Sequence, residues 1–498
     1  MGVFRKSEKG MALPTVIMVM LISFTLCASV LVLAESQTKT EISYESSTQA
    51  LHAAEAGINL YLWSLNKEGE SVALGSVIEY PDTNPKYGFI LNESTNEAGL
   101  KVITSKGWAL YSPDITQTIT ATLKKKSFTE HVYFTDFEDT SIVWGNGEVC
   151  YGPLHSNTSL KISGSPKFYG RVTYVDSLHD SDAVNPIYGE GPHKIDKIEF
   201  KNSNSELIQH STDGGYYFYG RTSIKMNSNG TLDIWCPNGL DPKGSNAGLS
   251  NSETRVYGCP LPSNGVIYVE GGDEDSEEQR FARDVGNVFI SGKLKGRLTV
   301  AAGANIYITD YNPTIENFAH VDRRNDKTNG VSYANVGFEF VDAGEKNKYY
   351  KQTGDGDDML GLIANKNVGI LTRGWFKCKT EAVIVKEYYT YNGRTYAYDV
   401  TKILSEKTVS GEPINVHAAV MAIGGKFFNT HHETSPLESS PPNIILRGSL
   451  IQKHRGAVGI VGGAGYSKNY AHDTRMAVEQ PPYFLEPANA GWEVISWN

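Results

Sequence analysis

MALPTVIMVMLISFTLCASVLVLA, residues 11–34, runs for 24 residues without a charge, broken only by Pro14, Thr15, Ser23, Thr25 and Ser29. As a helix rising 1.5 Å per residue it would be roughly 36 Å long, enough to cross a hydrocarbon core of about 30 Å. Met11, Leu21, Phe24 and Leu33 mark this expected span. The ten residues before it, MGVFRKSEKG, carry Arg5, Lys6 and Lys9 against Glu8. A basic flank stays on the cytoplasmic side, so the spacing predicts an inside N-terminus with the rest of the chain outside. The polar stretch after the span continues at helical periodicity. Leu51, Ala54, Ile58, Leu62 and Leu65 fall at three- and four-residue steps and predict an apolar stripe that docks on a globular part.

The remaining composition fits a large, folded ectodomain. The chain has 498 residues with 46 Lys+Arg and 56 Asp+Glu, a formal charge of −10, and its length exceeds what one core usually organises. Its 40% hydrophobic content excludes wholesale disorder, and the acidic balance argues against nucleic acid as a partner. With 49 Gly and 28 Tyr, many short strands joined by tight turns are expected.

Three readings of the N-terminus compete. A secretory signal could be cut after Ala34, although its apolar region is long against the usual ~7–15 residues. A plain single-pass anchor needs no processing. The third reading rests on the order of features: a short basic leader ending Lys9-Gly10, an apolar residue at once, then a span that runs straight into a polar helix. This resembles a class III (type IV prepilin) leader. The resemblance implies cleavage after Gly10 by a prepilin peptidase and a methylated Met11 as the mature N-terminus. Thr15 stands where major pilins carry a glutamate, which points to a minor subunit. Pro14 costs no hydrogen bond in a first helical turn. The stretch Gln49-Ala50-Leu51-His52-Ala53-Ala54-Glu55-Ala56-Gly57 resembles the QAxxAAEAG segment of PilX-type minor pilins, and the likeness covers roughly residues 1–65.

Beyond the helix, Leu100-Lys101-Val102-Ile103-Thr104 and the run 115–123 alternate with period two, as half-buried antiparallel strands do. After Phe134 the pattern changes to short β-branched segments, some ending in Gly, including Val266–Gly271, Val288–Gly292, Leu298–Val300, Ile306–Thr309, Val368–Leu371 and Ile444–Gly448. Between 285 and 310 they recur too closely for intervening helices, and N-V-F-I-S-G, G-R-L-T-V and N-I-Y-I-T are joined by no Asn-Gly. That favours a β-solenoid over hairpin-built sandwiches. Residues 151–174, 357–374, 414–428 and 446–476 resemble an uncharacterised ectodomain family found behind PilX-type N-termini. The resemblance implies a parallel β-helix over roughly 135–498 and brings no activity with it.

Candidate chemistry is sparse. Cys27 lies in the span, while Cys150, Cys236, Cys259 and Cys378 lie outside it. Cys236 and Cys259 enclose a Gly-, Pro-, Asn- and Ser-rich loop that a disulfide would restrain, the alternative being separate buried thiols. No C-x-x-C occurs, and adjacent His431-His432 do not converge as an i, i+4 pair would, so no metal site is expected. His155 and His417 sit in strand-like segments and read as stacked or turn-stabilising. The acidic runs 272–278 and 355–358 lack the spacing of a known calcium loop and read as solvated. No G-x-S-x-G, H-E-x-x-H or phosphate loop is present, so no catalytic residue and no cofactor are assigned.

The expectation is therefore a mainly β protein, non-enzymatic. A leader (1–10) precedes an N-terminal pilin-like transmembrane α-helix (11–66). A small α+β head with a pilin-like β-sheet region (67–134) follows, then a right-handed parallel β-helix (β-solenoid) ectodomain (135–498). The function expected is a minor pilin-like subunit of a type IV pilus or related pseudopilus, held in the cytoplasmic membrane and presenting an extracellular ectodomain for assembly priming or adhesion. The expected partners are other pilins through the N-terminal helix, the prepilin peptidase, the membrane, and a host-surface or polysaccharide ligand. The alternative is a secreted or anchored β-helix enzyme acting on polysaccharide, or a surface protein.

Overall fold

A computed structural model describes residues 12–67, 70–81, 85–96, 100–139, 141–236, 255–314, 328–372, 377–391, 394–408, 412–430, 442–460 and 464–498. The protein is mainly β with one long N-terminal apolar helix, and it divides into two units, 1–125 with 491–498, and 126–490.

In the first unit a single helix, Ala12–Asn66, runs for 55 residues. Its last turns lie on a five-stranded antiparallel sheet ordered Val77–Tyr80, Tyr87–Thr95, Lys101–Ala109, Ser112–Lys125 and Trp492–Trp497. The fifth strand comes from the far end of the chain, in residues that the sequence reading placed with the ectodomain. Alternation along Ser112–Lys125 turns Ile119, Ala121 and Leu123 into the core beside Phe89, Leu91 and Ile103. Asn66 ties the helix end to the last strand, its Nδ2 donating to Trp492 O at 3.0 Å and its Oδ1 accepting Trp492 N at 2.6 Å.

The second unit is built on parallel pairing. Tyr216–Tyr219, Val266–Glu270, Arg297–Ala302, Met359–Ala364, Ile414–Ala422 and Asn443–His454 pair in succession, all parallel. The ladder then continues through strands from much earlier in the chain: Tyr133–Phe137, Leu154–Ser156, Lys167–Tyr174 and Ile187–Lys194. Further parallel ladders flank it, and the pairings close on themselves. The chain thus enters in the middle of the stack, winds to one end, crosses to the other, and winds back to meet its own first strand.

Register explains the apolar runs. Ile267, Val300, Leu362, Val420, Leu450, Tyr133, Leu154 and Val172 are successive partners and all lie in the main core. Their neighbours Tyr268, Ala301, Ile363, Met421, Ile451 and Phe134 form a second aligned row, buried on the opposite face. Strands covered on both faces read as continuous apolar runs instead of alternating ones. The cover comes from the crossing segment and the tail. Phe200 stacks on Phe134 at 5.9 Å, and Leu207, Met476, Phe484 and Leu485 bury against the same row. Asn204 Nδ2 donates to Ala302 O (2.9 Å) and Ile363 O (3.1 Å), and Asn157 exchanges two bonds with the Ile198 backbone.

At one corner an asparagine recurs before each strand. Asn287 Oδ1 accepts from Asn305 N at 3.0 Å, Asn305 Oδ1 from Asn367 N at 3.0 Å, and Asn367 Oδ1 from Lys426 N at 3.0 Å. Each side chain therefore satisfies the backbone donor that the turn leaves behind.

Candidate functional site: an uncovered apolar helix docked by its far end

The helix is treated differently along its length. From Leu13 to Glu45 every described residue is exposed, with Leu21 60%, Phe24 74% and Leu33 61% accessible. Exposed apolar surface on this scale marks an interaction site, since soluble monomers rarely leave patches beyond a few hundred Å². The segment is long and apolar enough to cross a membrane. Two of its hydroxyls are already satisfied within the helix: Thr25 Oγ1 donates to Ile22 O at 2.9 Å and Ser29 Oγ to Thr25 O at 2.8 Å. Such bonds remove the cost of carrying hydroxyls into an apolar surround.

From Ser46 onward one face is buried: Ser46, Ala50, Ala53, Ala54, Gly57, Ile58, Tyr61 and Ser64. This corrects the expected docking stripe. Ala54 and Ile58 belong to it, Leu62 and Leu65 flank it half-buried, and Leu51 points away, 39% exposed. The cause is backbone proximity. A Cβ built on Gly107 would stand 2.4 Å from Ala54 N and 2.5 Å from Ala50 O, and one on Gly57 2.4 Å from Ser105 Oγ. At that separation only Ala and Gly fit the centre of the contact, so larger residues are displaced to its edges. The alanine-rich motif is therefore a docking surface. Tyr61 closes its end by donating to Glu93, which also pairs with Lys101. Burial, then Glu93, pushes the Tyr61 phenol above its ordinary range.

Gly10 and Met11 lie outside the described residues, as do His431 and His432. No disulfide joins Cys236 to Cys259, which corrects that expectation. Cys259 opposes Leu232, whereas Cys236 follows Trp235, which opposes Arg255. Four residues of extended strand separate the two positions, about 13 Å at ~3.3 Å per residue, against a Cα limit near 7 Å. Both thiols enter the main core, where burial pushes Cys259 up to about 11.

The acidic runs are not simply solvated. Glu274 accepts from Asn287 and Asn305 at the asparagine ladder (2.6 and 3.0 Å) and from the Tyr307 hydroxyl (2.8 Å), with Arg280 alongside at 3.4 Å. Asp358, fully buried, accepts Gly296 N at 2.7 Å and Asn335 N at 2.6 Å. Among the described residues no three His, Cys, Asp or Glu side chains are grouped to hold a metal ion. His155 bonds Thr173 Oγ1 (2.8 Å) and Asn157 Oδ1 (2.9 Å) and lies 5.0 Å from the Phe134 ring, while His417 is held edge-on between Tyr333 and Phe338.

No family model matches the chain, and no curated protein matches it. Among solved structures, the competence-associated pilin ComZ from Thermus thermophilus matches at 12% identity over 91% of this chain and 97% of that chain, with a TM-score of 0.26. A likeness that loose carries no argument about fold or function.

Proposed function

We propose that this chain is a non-enzymatic, minor pilin-like subunit of a type IV pilus or a related secretion pseudopilus. The observation that carries the reading is the division of one continuous helix into an uncovered apolar part and a docked part. A membrane first covers the exposed segment, with the N-terminus on the cytoplasmic side. After prepilin peptidase cuts between Gly10 and Met11, the same surface packs against the helices of other pilins, while the docked part holds the small sheet to it. The second unit is a right-handed β-solenoid that presents a surface for assembly priming or for adhesion to a host or polysaccharide. Its size favours a tip position over repetition along a thin filament. A structural role for its buried acids is supported by their partners, since Glu138 faces Arg455, Asp136 faces Lys453 and Glu274 faces Arg280.

Mass spectrometry of the mature N-terminus from native membranes tests the proposal. A chain starting at N-methylated Met11 is the expected result. A start at Glu35, or an intact Met1, overturns it.

A further inference from the structure

The stack closes where its late strands meet its early ones, and a buried cluster of four charges lies beside that junction. Lys468, on Ser467–Ala471, reaches Glu148, which immediately precedes the neighbouring strand Val149–Tyr151, with Tyr470 and Cys150 as register partners. The Lys468 amine contacts Oε1 of Glu148. The other carboxyl oxygen, Oε2, accepts the Gly145 N–H at 2.8 Å and has the Arg455 guanidinium at 3.9 Å. Arg455 is neutralised by Glu138 at 3.1 Å, and the Trp144 ring lies 4.4 Å from Arg455 and 4.9 Å from Lys468. The side chains of Lys468 and Glu148 keep only 15% and 14% of their accessibility.

An amine and a carboxyl group held in contact are the two reactants of acyl transfer as well as the two halves of an ion pair. A desolvated lysine is a competent nucleophile. Burial foremost, and Arg455 next, push the Lys468 ammonium below its usual range and so favour the neutral amine. The Gly145 N–H already aimed at Oε2 stabilises the charge that develops there during addition, and the positive charge of Arg455, whose hydrogen bonds go to Glu138 and Val143 O, adds to it from 3.9 Å. The register pairing of Ser467–Ala471 with Val149–Tyr151 brings Lys468 to the residue just before the second strand, and well-oriented intramolecular arrangements reach effective concentrations of about 10⁵–10⁸ M.

We propose that Lys468 and Glu148 become joined by an isopeptide bond in the mature protein. The Lys468 ammonium passes one proton to the contacting Oε1, and the freed nitrogen lone pair attacks the Glu148 carboxyl carbon. Negative charge collects on Oε2, which the Gly145 N–H holds at 2.8 Å. Oε1 then leaves as water with two of the three ammonium protons. A C–N bond forms, a C–O bond breaks, nothing is oxidised or reduced, and no co-reactant is needed. The product covalently closes the stack across its junction, between residues 320 positions apart.

The test is peptide mapping of the denatured full-length chain. A tryptic species that joins the peptide containing Lys468 to the one containing Glu148, one water lighter than their sum, is expected in the wild type and absent from Lys468→Met. Recovery of the two peptides only as separate, unmodified species from folded wild-type protein overturns the proposal. So does a linked species that persists in Lys468→Met.

Discussion

At the scale of single residues, the fold depends on a few atoms placed where nothing else fits. Gly107 is the clearest case, because any side chain there meets helix backbone and not a flexible side-chain end. Gly107→Val is expected to lift the helix from the sheet and lower the stability of the first unit by about 1–3 kcal/mol, the usual cost of overpacking, read as an earlier urea midpoint. Asp358→Ala leaves two backbone donors unanswered in the interior. A loss of about 1–3 kcal/mol is expected for the second unit, whereas an exposed aspartate changed to alanine would cost little. Two histidines, His155 buried and His131 half-buried, give the second unit a pH dependence. Burial foremost pushes His131 down to about 3 and His155 to about 4, from 6.5 in an unfolded chain. Between those values the unfolded chain binds more protons, so their contribution is complete above pH 6.5 and is lost as the pH falls towards 4 and 3. The urea midpoint should decline over that window, and more gently in His131→Phe, which removes up to about 1.4 kcal/mol per pH unit of slope.

At the scale of elements, the exposed helix makes the firmest prediction. Leu21→Arg puts a charge near the middle of the span at a cost of about 2.5–3.5 kcal/mol, and should shift the protein from the membrane pellet to the alkaline-carbonate supernatant. The two core cysteines predict the opposite of a cross-link. After denaturation without reductant, Cys236 and Cys259 should both alkylate, and a pair of unlabelled thiols would contradict their placement. How far each element could be read depended on whether its cause was local. The apolar run and the alternating strands are local patterns and were legible, whereas the asparagines heading the segments at 287 and 305 were quoted without their ladder being seen. Leu51 misled because helical periodicity identifies a stripe without saying how closely a sheet approaches it, which Gly107 decides from the opposite side. The Cys236–Cys259 pairing misled because loop composition says nothing about strand register. One local signal was passed over: Asn392-Gly393 separates the paired strands Lys377–Tyr391 and Arg394–Thr408, and Asn-Gly between alternating runs is a strong hairpin signature.

At the scale of the whole molecule, the order of strands in space departs from their order in the chain, and no periodicity can reveal that. The pairing of Leu450 with Tyr133 joins residues from opposite ends of the second unit, and the sheet of the first unit likewise waits for Trp492–Trp497. Removing residues 491–498 should leave a four-stranded sheet with an open edge along Ser112–Lys125, giving faster proteolysis of the first unit while the second unit keeps its protease resistance.

That late strand also sets a timetable. Synthesis proceeds from the N-terminus, so Ser112–Lys125 emerges long before its neighbour Trp492–Trp497, with residues 126–490 made in between. A chain that stalls or is clipped within those residues never completes the sheet on which the helix rests. The small sheet is thus finished only after residues 126–490 have been made, so the presence of its fifth strand reports on the whole stretch of chain between its fourth strand and its fifth.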